Sequence, residues 1–155
     1  MVSLAGAELT DANATDVFVI GGGPAGLAAA IAARQQGFRV IVADGAQPPI
    51  DKACGEGLMP DSLAALRELG VVIPSGAGFH FRGVRFADAE SSVAADFPNG
   101  IGIGLRRTIL HKLLVERAEQ MGVSLLWGAK GTRLRNGGID IGDERLTPRL
   151  VVGAE

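Results

Sequence analysis

The sequence predicts an α/β fold of the Rossmann type, with a central parallel sheet and a small antiparallel β-meander. Three observations predict it. An apolar, β-branched run, Asp16-Val-Phe-Val-Ile20, leads into Gly21-x-Gly23-x-x-Gly26. A thin, alanine-rich helical pattern follows and stops at Gly37. A second apolar run, Arg39 to Ala43, ends on Asp44. Strand, glycine turn, helix, strand and acid together span about thirty residues, the size of one β-α-β unit.

Each element has its own local reason. Asp16 to Ile20 is short, apolar and closed by glycine, as a strand buried on both faces should be. Pro24 to Gln36 reads as a helix, with Pro24 in its first turn, where a missing N–H breaks no helical bond. Ala29, Ala30 and Ala33 keep one helix face thin, and Gly37 followed by apolar Phe38 fits a helix stop. Ala46 to Met59 reads as a loop. Pro60 to Leu69 reads as a short helix with Asp61 in its first turn, Leu63, Leu66 and Leu69 on one face, and Gly70 as its stop. Phe79 to Phe86 and Val93 to Phe97 read as antiparallel strands around a polar turn. Thr108 to Met121 is the clearest amphipathic pattern, with Leu110, Leu113, Leu114, Ala118 and Met121 at helical spacing before Gly122. Val123 to Trp127 is expected to be the third parallel strand. Thr132 to Leu146 reads as a meander with turns at Asn136-Gly-Gly138 and Gly142-Asp143. Arg149 to Val152 begins another buried strand.

The 155 residues suffice for one domain. Met1 to Thr15 is expected to be a flexible tail, and residues 16–155 the domain. With 47% hydrophobic and 21% charged residues, a packed core is expected rather than disorder. The net charge of −2 gives no electrostatic case for a nucleic-acid partner. One cysteine excludes an internal disulfide and fits a reducing, cytoplasmic setting. No segment approaches the roughly 20 apolar residues of a membrane span. The first residues lack a basic leader, and Glu8 and Asp11 interrupt their apolar part. The 23 glycines show no fixed period and mark tight turns.

The glycine segment carries the chemistry. Gly21 allows the tight strand-to-helix turn, Gly23 lets the backbone approach a pyrophosphate, and Gly26 lets helix and strand pack closely. Pro24 and Ala25 complete the loop, whose N–H groups at the positive helix end suit an anion. Asp44 is placed to accept hydrogen bonds from ribose hydroxyls, and its charge disfavours a 2′-phosphate; its plainer role is a solvated strand-end acid. The fingerprint alone does not separate FAD from NAD. Cys54 has no C-x-x-C partner, and neither His80 nor His111 has a triad spacing. Cys54 therefore reads as a small, semi-buried residue near the cofactor. His80, Phe81, Phe86 and Trp127 read as core or sheet residues, with a border of the adenine pocket as the second role for Trp127. No metal-ligand cluster and no catalytic residue can be assigned.

Beyond the glycine segment, two further strings stand in order: Lys52-Ala-Cys-Gly-Glu-Gly-Leu-Met-Pro60 with Leu63-Ala-Ala-Leu-Arg-Glu-Leu-Gly70, and Gly104-Leu-Arg-Arg-Thr-Ile-Leu-His-Lys-Leu-Leu114. With Asp16 to Gly26 and Asp44, they make the chain resemble the FAD-dependent monooxygenases of the para-hydroxybenzoate hydroxylase type and the related geranylgeranyl reductases. The resemblance covers residues 16–155.

The resemblance implies FAD as cofactor, a reduced nicotinamide (NADH or NADPH) as electron donor, O₂, and a small organic substrate. It places Gly55 and Gly57 close to the flavin or its ribityl chain. Arg107, rather than its neighbour Arg106, would contact the FAD phosphates or ribose, and Gly131 would lie near the adenine. It leaves three alternatives: a geranylgeranyl-reductase-like flavoprotein, an NAD-binding module, and a catalytically incomplete fragment. The family would continue past Val151-Val-Gly-Ala-Glu155 with a glycine and a later Gly-Asp motif. The chain is therefore expected to be the N-terminal part of an FAD-binding domain, with an exposed sheet edge through which it could self-associate.

Overall fold

In the computed structural model, residues 15–54, 56–129, 133–135, 138–141 and 144–154 are described. The chain forms two compact units, one from Met1–Ile50 with His111–Glu155 and one from Asp51–Leu110.

The first unit is built on a four-stranded parallel sheet. Its strands are β1 (Val17–Ile20), β2 (Val40–Asp44), and two that come much later in the chain, Ser124–Trp127 and Leu150–Gly153. In the sheet, Leu150–Gly153 forms one edge, then β1, then β2, then Ser124–Trp127 at the other edge. Register is continuous, with Val17 to Ile20 facing both Val40 to Ala43 and Leu150 to Gly153. Between β1 and β2 runs α1 (Pro24–Gln35), with Pro24 in its first turn. The helix ends as its sequence requires: Phe38 N–H bonds the Ala33 carbonyl and Gly37 N–H the Arg34 carbonyl, with Gly37 left-handed at φ 86°.

Alternation along the strands sorts the core. Phe18, Ile41, Ala43 and Leu126 pack on one side with Ile139, Ile141 and Leu146 of the meander. Val19 and Val42 are fully buried, as are Leu27, Ala30 and Ile31 of α1, and Val19 lies against the helix at Gly26. A side chain of Phe18's size, wholly buried, contributes about 2–3 kcal/mol by burial alone.

The second unit contains β3 (Gly57–Leu58), α2 (Pro60–Glu68), β4 (Phe79–Phe81), β5 (Gly83–Ala87), β6 (Ser92–Asp96) and β7 (Gly102–Gly104). β3, β7 and β4 form one antiparallel sheet and β5–β6 a hairpin. The long strand expected over Phe79 to Phe86 is thus two strands serving two sheets. The chain changes partner at Arg82, whose carbonyl accepts from Phe97 N–H. Gly83 then lies so close to β6 that a Cβ would meet the Ala95 backbone. Gly57 and Leu58, expected in a loop, instead pair with Gly104 and Ile103.

Chain order then gives α3 (Arg107–Gln120), β8 (Ser124–Trp127), β9 (Arg133–Arg135), β10 (Gly138–Ile141), β11 (Glu144–Leu146) and β12 (Leu150–Gly153). β9, β10 and β11 form the expected antiparallel meander. Its turn residues 136–137 and 142–143, and the tail residues 1–14, lie outside the described residues, whereas Thr15 is buried. α2 and α3 end as α1 does, at Gly70 and Gly122. The buried stripe of α3 is His111, Leu114 and Ala118, so a histidine takes the place expected for leucine. Arg34 Nε donates to the Met121 carbonyl at 2.9 Å, tying the last turn of α1 to the end of α3.

One expectation is corrected here. Cys54 is exposed rather than semi-buried, and Asp51 to Cys54 form no helix or strand. Phe86 and His80 are sheet residues, and both are exposed.

Asp16 pins the start of the sheet. Its carboxylate accepts from Arg39 Nε at 3.2 Å and Arg39 N–H at 2.9 Å, with Arg149 3.8 Å away. The Arg39 side chain, then its backbone N–H, hold the Asp16 carboxyl below its ordinary range. A depressed carboxylate stabilises the fold above the unfolded-state value and loses that contribution as pH falls through the folded one. Melting temperature should therefore decline as pH drops below about 4, and Asp16→Asn should flatten that decline. An unchanged pH profile in the variant would refute the role.

Candidate cofactor site

Within the first unit, the expected residues Gly21, Gly23, Pro24, Ala25, Gly26 and Asp44 converge at the carboxyl ends of β1 and β2. The turn leaves the sheet at Gly21, whose N–H bonds the Ala43 carbonyl at 2.8 Å. Its φ of 108° is one that a side chain rarely tolerates. Gly23 is the N-cap of α1, extended at φ −72° and ψ 179°. It offers no side chain to cap the helix, so the first-turn N–H groups face outward to whatever anion the loop receives. Gly26 is buried, and a Cβ there would collide with the Gly21 carbonyl oxygen and lie 3.1 Å from its carbon. The third glycine thus lets helix and strand pack closely, as its spacing predicts.

Asp44 does more than a strand-end acid would. Its Oδ2 accepts from Gly22 N–H at 2.7 Å and its Oδ1 from Ala46 N–H at 2.8 Å. Each oxygen retains a lone pair for a further donor such as a ribose hydroxyl. The carboxylate therefore shapes the glycine loop as well as offering itself to a ligand.

Sequence reasoning missed two participants. Gly22, which the fingerprint leaves free, is buried beneath the Trp127 ring. A Cβ there would lie 2.7 Å from Trp127 Cη2, nearer still to Cζ3, and 3.1 Å from Asp44 Cβ. His111, fully buried, has Nε2 2.9 Å from the Gly22 carbonyl oxygen and its ring 5.9 Å from that of Trp127. Only the spacing of His111 with Leu114 and Ala118 could have signalled its burial, and the five-residue apolar pattern beside it masked that signal.

In the second unit, Glu56 is the one non-glycine residue of positive φ among the described residues, at 53°. Its carbonyl accepts from Leu105 N–H at 2.8 Å, and its carboxylate Oε1 accepts from Arg107 N–H at 2.9 Å. An acid on a first-turn N–H is favoured by the helix dipole. Arg107 is half-buried, and its guanidinium Nε is buried without a hydrogen-bond partner among the described residues. Arg106 is exposed. Gly57 lies in β3, paired with Gly104. Gly55 and Gly131 lie outside the described residues.

The family model described as an FAD binding domain matches residues 16–72, which include the glycine loop, Asp44 and Gly57. Over that segment the chain resembles FAD binding domains. It is 35% identical over 128 residues to a menaquinone reductase of Mycobacterium tuberculosis, a match covering 80% of the chain and 31% of the relative. It is 32% identical over 152 residues to digeranylgeranylglycerophospholipid reductase 1 of Methanopyrus kandleri, covering 90% and 39%. Among solved structures, it superposes on a tetrameric form of 2-methyl-3-hydroxypyridine-5-carboxylic acid oxygenase with TM-score 0.76 and 29% identity, covering 91% of the chain and 39% of that protein. The chain therefore spans a third to two-fifths of the length of these relatives.

FAD is the cofactor of this likeness, and the site fits its ADP half. The uncapped helix start, the closed Gly21–Gly26 contact and the free lone pairs of Asp44 match a pyrophosphate and a ribose. No helix among the described residues is long and apolar enough to cross a membrane.

Proposed function

We propose that this chain holds the ADP half of FAD in a flavin-dependent oxidoreductase, as the N-terminal part of its FAD-binding domain. The observation that carries the reading is the loop itself: an uncapped helix start at Gly23 beside a carboxylate, Asp44, that keeps acceptor capacity. Gly21, Gly23, Pro24, Ala25 and Gly26 would receive the pyrophosphate, and Asp44 the adenosine ribose. When bound, FAD supplies hydride and electron transfer that no side chain provides. The chain's residues bind and orient. The N–H groups of the first turn offset pyrophosphate charge, and Asp44 orders the loop and selects an unphosphorylated ribose.

Two chemistries fit this frame. A monooxygenase would use NADH or NADPH and O₂ on a small organic substrate, as the resemblance to the solved oxygenase supports. A reductase reading is supported by the two curated relatives, both named as reductases. Incorporation of an oxygen atom from O₂ into the organic product separates them, since only the first puts one there.

Binding is tested by titrating FAD into the chain and into Asp44→Asn. Asparagine keeps one acceptor and the size of the side chain but loses the charge. FAD affinity should fall about tenfold, the scale of one charge-assisted hydrogen bond. Equal affinity in the two proteins would remove Asp44 from the site.

A further inference from the structure

We infer that His111 is a positioning residue for the glycine loop, fixing the peptide that presents Gly23 to the pyrophosphate; the inference rests on the FAD reading above. His111 is one of two buried polar residues among those described, the other being Thr15. Its Nε2 lies 2.9 Å from the Gly22 carbonyl oxygen. A carbonyl oxygen only accepts, so Nε2 carries a hydrogen in this bond. Nδ1 is buried without a partner among the described residues, a standing cost that an apolar side chain at this position of α3 would avoid. The polar ring is explained by the one bond it makes.

That bond completes a clamp. The Gly22 N–H donates to Asp44 Oδ2 at 2.7 Å, its Cα lies under the Trp127 ring, and its carbonyl is held by His111. The peptide joining Gly22 to Gly23 is planar and trans, so its C=O and N–H point in opposite directions. Holding the Gly22 carbonyl toward His111 therefore aims the Gly23 N–H away from His111. Gly23 is the glycine whose backbone must approach the pyrophosphate. A peptide free to rotate would spend part of its time presenting its carbonyl oxygen to the phosphates, which repels them.

The test compares wild type, His111→Leu and His111→Gln. Leucine removes the donor, and glutamine restores a donor of similar reach. Hydrogen exchange at the Gly22 amide, without ligand, should quicken about tenfold or more in His111→Leu relative to the β10 amides, and return towards wild type in His111→Gln. FAD affinity should fall about tenfold in His111→Leu and stay within about threefold in His111→Gln. Adenosine, which has no pyrophosphate, should bind all three alike. If leucine does not fold, His111→Asn serves instead, polar but too short to carry the donor to Gly22. Unchanged loop exchange in His111→Leu, or equal loss of FAD and adenosine without rescue by glutamine, would overturn the inference. Failure of the wild type to bind FAD would overturn the FAD reading, while the exchange rates would still decide the role of His111.

Discussion

Gly26→Ala should lower the melting temperature by roughly 10 °C and eliminate measurable FAD binding. The sign is what makes the experiment informative. At an exposed interior helix position, Gly→Ala stabilises by about 1 kcal/mol through helix propensity. Position 26 lies inside α1, so local propensity alone predicts a gain. Its Cβ, however, would collide with the Gly21 carbonyl oxygen and press on Val19 Cγ1 at 3.2 Å. Backbone cannot step aside as a flexible side chain can, so α1 must shift off β1. Overpacking of this kind costs about 1–3 kcal/mol or more, and about 3 kcal/mol in a domain of this size corresponds to roughly 10 °C. The same shift displaces the helix start from Gly21, which removes the anion site. A rise in melting temperature would mean that the contact between α1 and β1 is looser than the structure has it.

Gly22→Ala should destabilise by about 2 kcal/mol, although the fingerprint treats this position as free. The obstacle is one side chain, the Trp127 ring, with Asp44 Cβ at the edge of contact. Trp127→Leu should therefore recover part of the loss. The double-mutant cycle should show a coupling of about 1 kcal/mol, as expected for residues in direct contact. Full additivity would show that Trp127 does not cover Gly22. Alanine scanning of the loop without the tryptophan change would instead mistake a packing effect for a ligand effect.

The sheet, its β-α-β unit and the ends of all three helices were legible because their causes are local. Phe18, Ile41 and Val42 are apolar and β-rich, and Gly37, Gly70 and Gly122 each stop a helix by the same pair of bonds. The outer placement of β12 beside β1 was not legible, because pairing between Val17 and Leu150 is a property of the assembled sheet. The split at Arg82 was missed for the same reason: Phe79 to Phe86 is one continuous β-like string, and only its two different partners divide it. In the site, Gly21, Gly26 and Asp44 were legible from a spacing whose mechanics are known. His111 was not, nor, in the second unit, was Glu56. Each acts through a contact across a long sequence separation, His111 with Gly22 over 89 positions and Glu56 with Arg107 over 51. A pattern read along the chain has no access to such pairs. Asp44 lies between the two cases: its presence was legible, and its grip on Gly22 and Ala46 was not.

The central claim is that Gly21–Gly26 and Asp44 hold the ADP half of FAD. Competition against bound FAD tests it most directly, with the chain's one tryptophan, Trp127, beside Gly22 as a fluorescent reporter. ADP should displace FAD at a concentration near its own dissociation constant and reproduce the change in Trp127 emission, while FMN, which carries the flavin without the adenosine, should do neither. Displacement by FMN with ADP inert would contradict the account.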